Sequence, residues 1–332
     1  MTPPISRRRF ITVTGMFAGA MVAGPALPRE RPPQLARWDG VVLGAQSSLQ
    51  LYHPDPDAAK ALIGDCLAEV YRLERIFSLY RPESALCRLN RTGSLDGAPP
   101  EFLTVLRQSL HFSAISGGAF DVTVQPLWIL YADHFARPDA DPGGPPGAAI
   151  EAARALVDYR RITLAGDRVA LAEPGMGITF NGIAHGYITD RIVALLRRRG
   201  VDRVLAQLDA YRASGRHPDG RPWHIGIANP KAPDTALQVV ELTDRAMATS
   251  GGYGTCFDKA GRFHHLFDPA TGRPSFAWAE TNVVARSAMV ADGLSTTLAV
   301  CHRDHAQDIL SAGGGETAYL VDFDNRVTTI PG

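Results

Sequence analysis

Asp292 and Thr296 lie four residues apart in the run Ser287-Ala-Met-Val-Ala-Asp-Gly-Leu-Ser-Thr296. On a helix, that spacing projects a carboxylate and a hydroxyl from one face. Two hard oxygens suit Mg²⁺, which takes one or two protein ligands and fills its shell with water and substrate phosphate. Ser295 is adjacent but turned about 100° from Thr296. The same pattern also fits a plain helix with an exposed Asp and a Thr bonded to its own i−4 carbonyl. A second group is Asn181-Gly-Ile-Ala-His-Gly-Tyr187. There, Gly182 and Gly186 permit close backbone approach and a helix start offers N–H groups to an anion. His185 either touches a ligand or caps the turn. A third is Phe263-His-His-Leu-Phe-Asp-Pro-Ala-Thr-Gly272, in which an Asp-Pro-x-Thr-Gly turn holds His265. A histidine beside a cation–phosphate site is suited to accept a proton from an attacking hydroxyl, although an isolated histidine is more often a structural residue. Tyr80, in Phe77-Ser-Leu-Tyr-Arg-Pro82, could flank a flat heterocycle or sit at the core edge. No G-x-G-x-x-G or G-x-x-x-x-G-K-[ST] motif is present, so neither dinucleotide fingerprint nor phosphate loop is supported.

The elements that must position these residues follow from periodicity. Val41–Tyr52 alternates as a strand, and Asp57–Phe77 has helical spacing with Asp57 as N-cap. Pro100–Ser116 reads as a helix ended by Gly117-Gly118, and 137–147 as a mobile surface loop. Short strands are expected at 161–164, 169–171, 177–180, 204–208, 224–228, 239–242, 281–285 and 318–321, with helices at 183–199, 287–301 and 306–312. Strands mixed with helices, without regular βαβ alternation, predict an α+β fold.

The chain has 332 residues, 45% of them hydrophobic, with 34 basic and 34 acidic side chains. That excludes a disordered chain and gives no general electrostatic footprint for nucleic acid. Ser6-Arg7-Arg8-Arg9-Phe10-Ile11 and the weakly apolar stretch to Ala26 fit a twin-arginine signal over residues 1–26. Their removal leaves 34 − 3 = 31 basic against 34 acidic residues and no stable membrane anchor. The other reading is an uncleaved anchor, which the glycines and the small-residue end disfavour. Export implies a periplasmic protein. Cys66, Cys87, Cys256 and Cys301 show no C-x-x-C spacing and read as buried free thiols rather than a zinc site.

In order, Phe77-Ser-x-Tyr-x-Pro, Gly118-Ala-Phe-Asp, Asn181-Gly-Ile-Ala-x-Gly-Tyr, Asp219-Gly-x-Pro-Trp-x-Ile-Gly-Ile, Ala248-Thr-Ser-Gly, His265-x-x-Asp-Pro-x-Thr-Gly and Ala291-Asp-Gly-Leu-Ser-Thr resemble the ApbE family of Mg²⁺-dependent FAD:protein FMN transferases. The resemblance implies one domain over 38–330, a two-lobed fold with mixed sheets, and an FAD cleft between lobes. It implies transfer of FMN from FAD to a Thr or Ser hydroxyl of an acceptor flavoprotein, with AMP released. By the same resemblance, Gly182, Asp292, Ser295 and Thr296 hold Mg²⁺, Ser295 standing where some members have a second carboxylate. Leu43, Tyr80, Ala119, Phe120, Asp121, Thr179, His185 and Leu266 fall at FAD-contacting positions, and His265 at the base. Many members carry Gly-Gly where this chain has Ala206-Gln-Leu-Asp-Ala210, so Gln207 or Asp209 either contributes new hydrogen bonds or impairs the FAD site. Tyr211-Arg-Ala-x-Gly resembles the NosX-like branch, linked to nitrous oxide reductase maturation, which implies a NosR-like membrane electron carrier as acceptor. The competing readings are an FAD pyrophosphatase, with water replacing the acceptor, and a non-catalytic flavin-binding assembly factor.

Overall fold

The structure is a computed structural model that describes residues 32–229, 232 and 235–332; the signal read at 1–26 lies outside them. The fold is α+β. Its centre is an eight-stranded sheet in the order Gln34–Val42, Ala45–His53, Val204–Leu208, Ala210–Ser214, Ala246–Ser250, Glu280–Ala285, Gly315–Val321 and Val327–Pro331. Each neighbouring pair is antiparallel.

Period-two alternation places the two hydrophobic faces. Val283 and Ala285 point to a helical layer, while Val284 joins Ala213, Met247 and Val321 on the other face. That second face is covered by the Trp223–Ala228 and Ala236–Leu242 hairpin through Trp223, Ile225, Ile227, Val240 and Leu242. Glu280–Ala285 is therefore buried along its whole length. The helical layer comprises Pro56–Phe77, Ala184–Arg198 and Ala288–Val300. A smaller aromatic lobe packs Leu127 and Tyr131 of the Gln125–Phe135 helix against Ile150 and Phe267. Among the described residues, no helix is long and apolar enough to cross a membrane.

Several elements differ from the expectation for local reasons. The single strand read at 41–52 is the second half of a hairpin that starts at Gln34, ahead of residue 38. Its turn is Leu43-Gly44, both at positive φ (47° and 88°), and leucine is not a turn-forming residue. A tertiary bond compensates, the Leu43 N–H donating to Glu74 Oε1 at 3.1 Å. The first helix is capped by Asp55 rather than Asp57, with Asp55 Oδ1 accepting from the N–H groups of Asp57 and Ala58. Gly177–Phe180 is not a strand: the Asn90 side-chain amide takes the place of a partner, donating to Ile178 O and accepting from Ile178 N–H. Helices Ala85–Thr92 and Gly147–Arg154 have no counterpart in the expectation, being only two turns long. The loop at 137–147 is tied down by Arg262 Nη2 donating to Pro142 O (2.7 Å) and by a His134–Asp141 contact. All four cysteines are free, with Cys66 and Cys301 buried but Cys256 exposed.

The crossing of Ala184–Arg198 over Ala288–Val300 depends on glycine. A Cβ on Gly186 would lie 2.2 Å from Ala288 O and 2.8 Å from Asp292 Cβ, and one on Gly182 would lie 2.9 Å from Thr296 Oγ1. Asp190 pins the crossing, accepting from Ser287 Oγ (2.8 Å), Ala288 N–H (2.9 Å) and Met289 N–H (3.0 Å) at the start of the second helix. Gly186→Ala is expected to force these helices apart at a cost of about 1–3 kcal/mol, read as a lower urea midpoint. An unchanged midpoint would show that the crossing is not tight.

Candidate functional site

Between the sheet and the aromatic lobe lies a cleft of about 980 Å³, at the upper end of the range for small-molecule sites. The two helices meet at its floor. Thr296 Oγ1 donates to Gly182 O at 3.3 Å, and Asp292 Oδ2 accepts the Gly186 N–H at 2.9 Å. Thus, a carboxylate, a hydroxyl and a carbonyl from the two motifs gather at one cleft wall. The Gly186 amide, expected to be open to an external anion, is already filled by Asp292.

Asp292 is buried, and burial pushes its pKa up to about 7; the Asp209 and Asp190 charges add to that rise, while His185 and the Gly186 N–H oppose it. A buried carboxylate with no lysine or arginine bonded to it among the described residues, and one oxygen accepting a backbone N–H, fits a divalent ion. Among the described residues, no group of three or more His, Cys, Asp and Glu is arranged to hold a metal, so any ion here relies on a carboxylate with neutral oxygens.

Ser295 is fully buried and turned away from the cleft. Its hydroxyl donates to Asp292 O at 2.9 Å and lies 2.8 Å from Ser250 Oγ. The hydroxyl that does reach the group is Ser250 Oγ, 3.2 Å from Thr296 Oγ1, on the cleft wall. Ser250 lies in the Ala248-Thr-Ser-Gly motif, but its approach to Thr296 comes from pairing between strands and is not visible in the sequence. Its signal was the Thr249-Ser250-Gly stretch ending Ala246–Ser250.

The remaining predicted residues divide. Ala119, Phe120, Asp121, Thr179, Leu266 and His265 line the cleft. Both Asp121 oxygens are committed to structure: Oδ1 accepts from Thr123 N–H and Oγ1, and Oδ2 from Tyr159 N–H. Burial raises its pKa against those hydrogen bonds. Thr179 donates its N–H to Val122 O, and its hydroxyl accepts from Asn181 N–H. Leu43 sits in the hairpin turn next to Gly44, which lines the cleft, and the exposed Tyr80 ring lies 3.6 Å from where a Gly44 Cβ would be. His185 lies in the first turn of its helix, with Nδ1 3.3 Å from Asn181 O and 3.7 Å from Asp209 Oδ2; its Nε2 is buried without a partner.

His265 Nδ1 lies 3.2 Å from Thr255 O. A carbonyl only accepts, so Nδ1 carries the proton and Nε2 keeps its lone pair. Burial holds the His265 pKa below its usual value, against the Thr255 carbonyl and the Asp209 charge. The ring is therefore a neutral base at neutral pH. His264 is structural: it accepts from Leu266 N–H, contacts the Phe276 ring, and burial drives its pKa down to about 4.

The family model described as "ApbE family" matches residues 43–321. A protein of Vibrio cholerae serotype O1 named FAD:protein FMN transferase is 28% identical over 304 residues, covering 89% of this chain and 90% of that protein. One of the same name from Salmonella typhimurium is 30% identical over 250 residues, covering 72% and 71%. Among solved structures, flavin transferase ApbE from Vibrio cholerae superposes with a TM-score of 0.77 at 25% identity, over 90% of this chain and 97% of that one. The apo form of Pseudomonas stutzeri flavinyl transferase ApbE gives 0.75 at 29% identity, over 90% and 95%.

The raised Asp292 pKa has a stability consequence. Between the unfolded value of 3.8 and about 7 the folded state holds a proton that the unfolded state releases, so stability falls as pH rises through that window. Asp292→Asn removes the effect and keeps an acceptor for Gly186. In chelator, urea denaturation should show the variant more stable than wild type at pH 8 by on the order of 2–4 kcal/mol, with the gap closed at pH 4. Parallel pH profiles would contradict this.

Proposed function

The chain belongs to the ApbE family, and on that premise we propose that it transfers FMN from FAD to a Thr or Ser hydroxyl of an acceptor protein. The acceptor oxygen forms a bond to the FMN phosphorus, the phosphoanhydride bond to AMP breaks, and AMP leaves. The hydroxyl proton passes to Nε2 of His265, whose Nδ1–H is held by Thr255 O.

The observation that carries this reading is the charge of the cleft. Asp121, Asp209, Glu280 and Asp292 line it, whereas its single arginine among the described residues, Arg37, is bonded to Asp39 at 2.6 Å. A diphosphate entering such walls is repelled unless a cation accompanies it. Gly182 O, Asp292 and Thr296 Oγ1 would hold Mg²⁺, with Ser250 beside them. Bound there, the ion would neutralise charge on the transferring phosphoryl group, the main requirement of this chemistry. The chain's own contribution is positioning. The two helices fix the oxygens, Phe120 and Leu266 give the cleft apolar wall, and His265 presents a lone pair.

We further propose that residues 1–26 direct twin-arginine export to the periplasm, where a NosR-like membrane electron carrier is the acceptor. The basis is the Arg7-Arg8-Arg9 motif and the likeness of Tyr211-Arg-Ala-x-Gly215 to the NosX-like branch.

Intact-mass spectrometry of an acceptor incubated with enzyme, FAD and Mg²⁺ tests the transfer. The expected result is a gain of one FMN with equimolar AMP. AMP without acceptor modification would replace this reading with FAD hydrolysis. Asp292→Ala should lower the rate by more than about 100-fold and His265→Ala by about 10²–10⁴-fold. A non-catalytic assembly role predicts instead that Asp292→Ala leaves biological activity intact, and loss of flavinylation in that variant would eliminate it.

A further inference from the structure

We propose that Asp209 is a second carboxylate of the cation site, supplied from the apex of the Val204–Ser214 hairpin to the cleft that Asp292 also lines. This rests on the cation site proposed above.

Asp209 has φ 72°, a left-handed conformation that glycine adopts freely and that a side chain enters at a cost. The hairpin apex thus holds a carboxylate in a backbone shape suited to glycine, a strained non-glycine residue of the kind found where function holds it.

That carboxylate is well placed. Asp209 Oδ2 lies 3.7 Å from His185 Nδ1, and Asp292 Oδ2 lies 2.9 Å from the N–H of the next residue, Gly186. Two carboxylates from distant elements therefore flank one helical turn, and both line the cleft. The Asp209 side chain is 54% exposed, unlike buried Asp292. His185, between them, has its Nε2 buried and without a partner, so the trio is not closed on itself. Ser295, beside Thr296 on the helix, is turned inward to Asp292 O. Asp209 would give the site a second carboxylate from a different element, within the one or two that Mg²⁺ accepts from protein.

Mn²⁺ titration followed by EPR, on folded protein without FAD, tests this independently of turnover. Asp209→Asn should weaken Mn²⁺ binding about tenfold, with its fold intact by circular dichroism. Asp209→Gly should weaken it as much while raising the thermal midpoint in chelator, because glycine relieves the left-handed strain. A structural role alone would move the midpoint and leave Mn²⁺ affinity unchanged. Affinity within twofold of wild type in both Asp209 variants, alongside a loss in Asp292→Asn, overturns this inference alone. Equal affinity in Asp292→Asn, or no binding by wild type, overturns it together with the cation site.

Discussion

The hydrogen bond from the Gly186 amide to the Asp292 carboxylate is the contact on which the rest of the molecule is arranged. It exists because two glycines let one helix start against the flank of another, so that Thr296 reaches Gly182 and Asp292 reaches Gly186. Asp190 caps the second helix from the first and locks their rotation, which keeps both side chains on the cleft. A carboxylate held this deeply stays ionised only with compensation, and the amide supplies part of it. The remaining demand for positive charge is what the proposed cation would meet.

The sheet serves this crossing. Both faces of Glu280–Ala285 are covered, so the strand beside the cleft is rigid, and its Thr281 hydroxyl donates to Ser295 O on the helix behind. On the same strands, Thr249 donates to Asn282, Asn282 donates to Glu280, and Tyr253 donates to Glu280. These neutral donors hold part of a wall that carries buried carboxylate, and among the described residues the one arginine lining the cleft, Arg37, is bonded to Asp39. A diphosphate in such a cleft would share the sign of its walls, which is the ground for the proposed divalent ion.

The gathering of Asp292, Thr296 and Gly182 was legible because these residues lie in two short local motifs. Asp292 and Thr296 are one helical turn apart, and Gly182 and Gly186 mark a close approach, so periodicity alone placed them on one face. The order of motifs along the chain did more, since it supplied the fold. What was illegible depends on contacts between distant segments. Ser250 reaches Thr296 only through strand pairing, and Ser295 is taken out of the cleft by a bond to Asp292 O. The Leu43-Gly44 turn needs Glu74 from another helix, and Gly177–Phe180 looks like a strand until Asn90 supplies its partner. From sequence, Asp209 either contributes new hydrogen bonds or impairs the FAD site; the structure places it in a left-handed hairpin apex on the cleft.

The central claim is that one divalent ion is gripped where these helices cross. The most direct test is the anomalous signal of Mn²⁺ in crystals grown with FAD. The account predicts one peak at about 2 Å from Gly182 O, an Asp292 oxygen and Thr296 Oγ1, touching the diphosphate. A peak elsewhere, or a diphosphate bound in this cleft with no ion beside it, would contradict it.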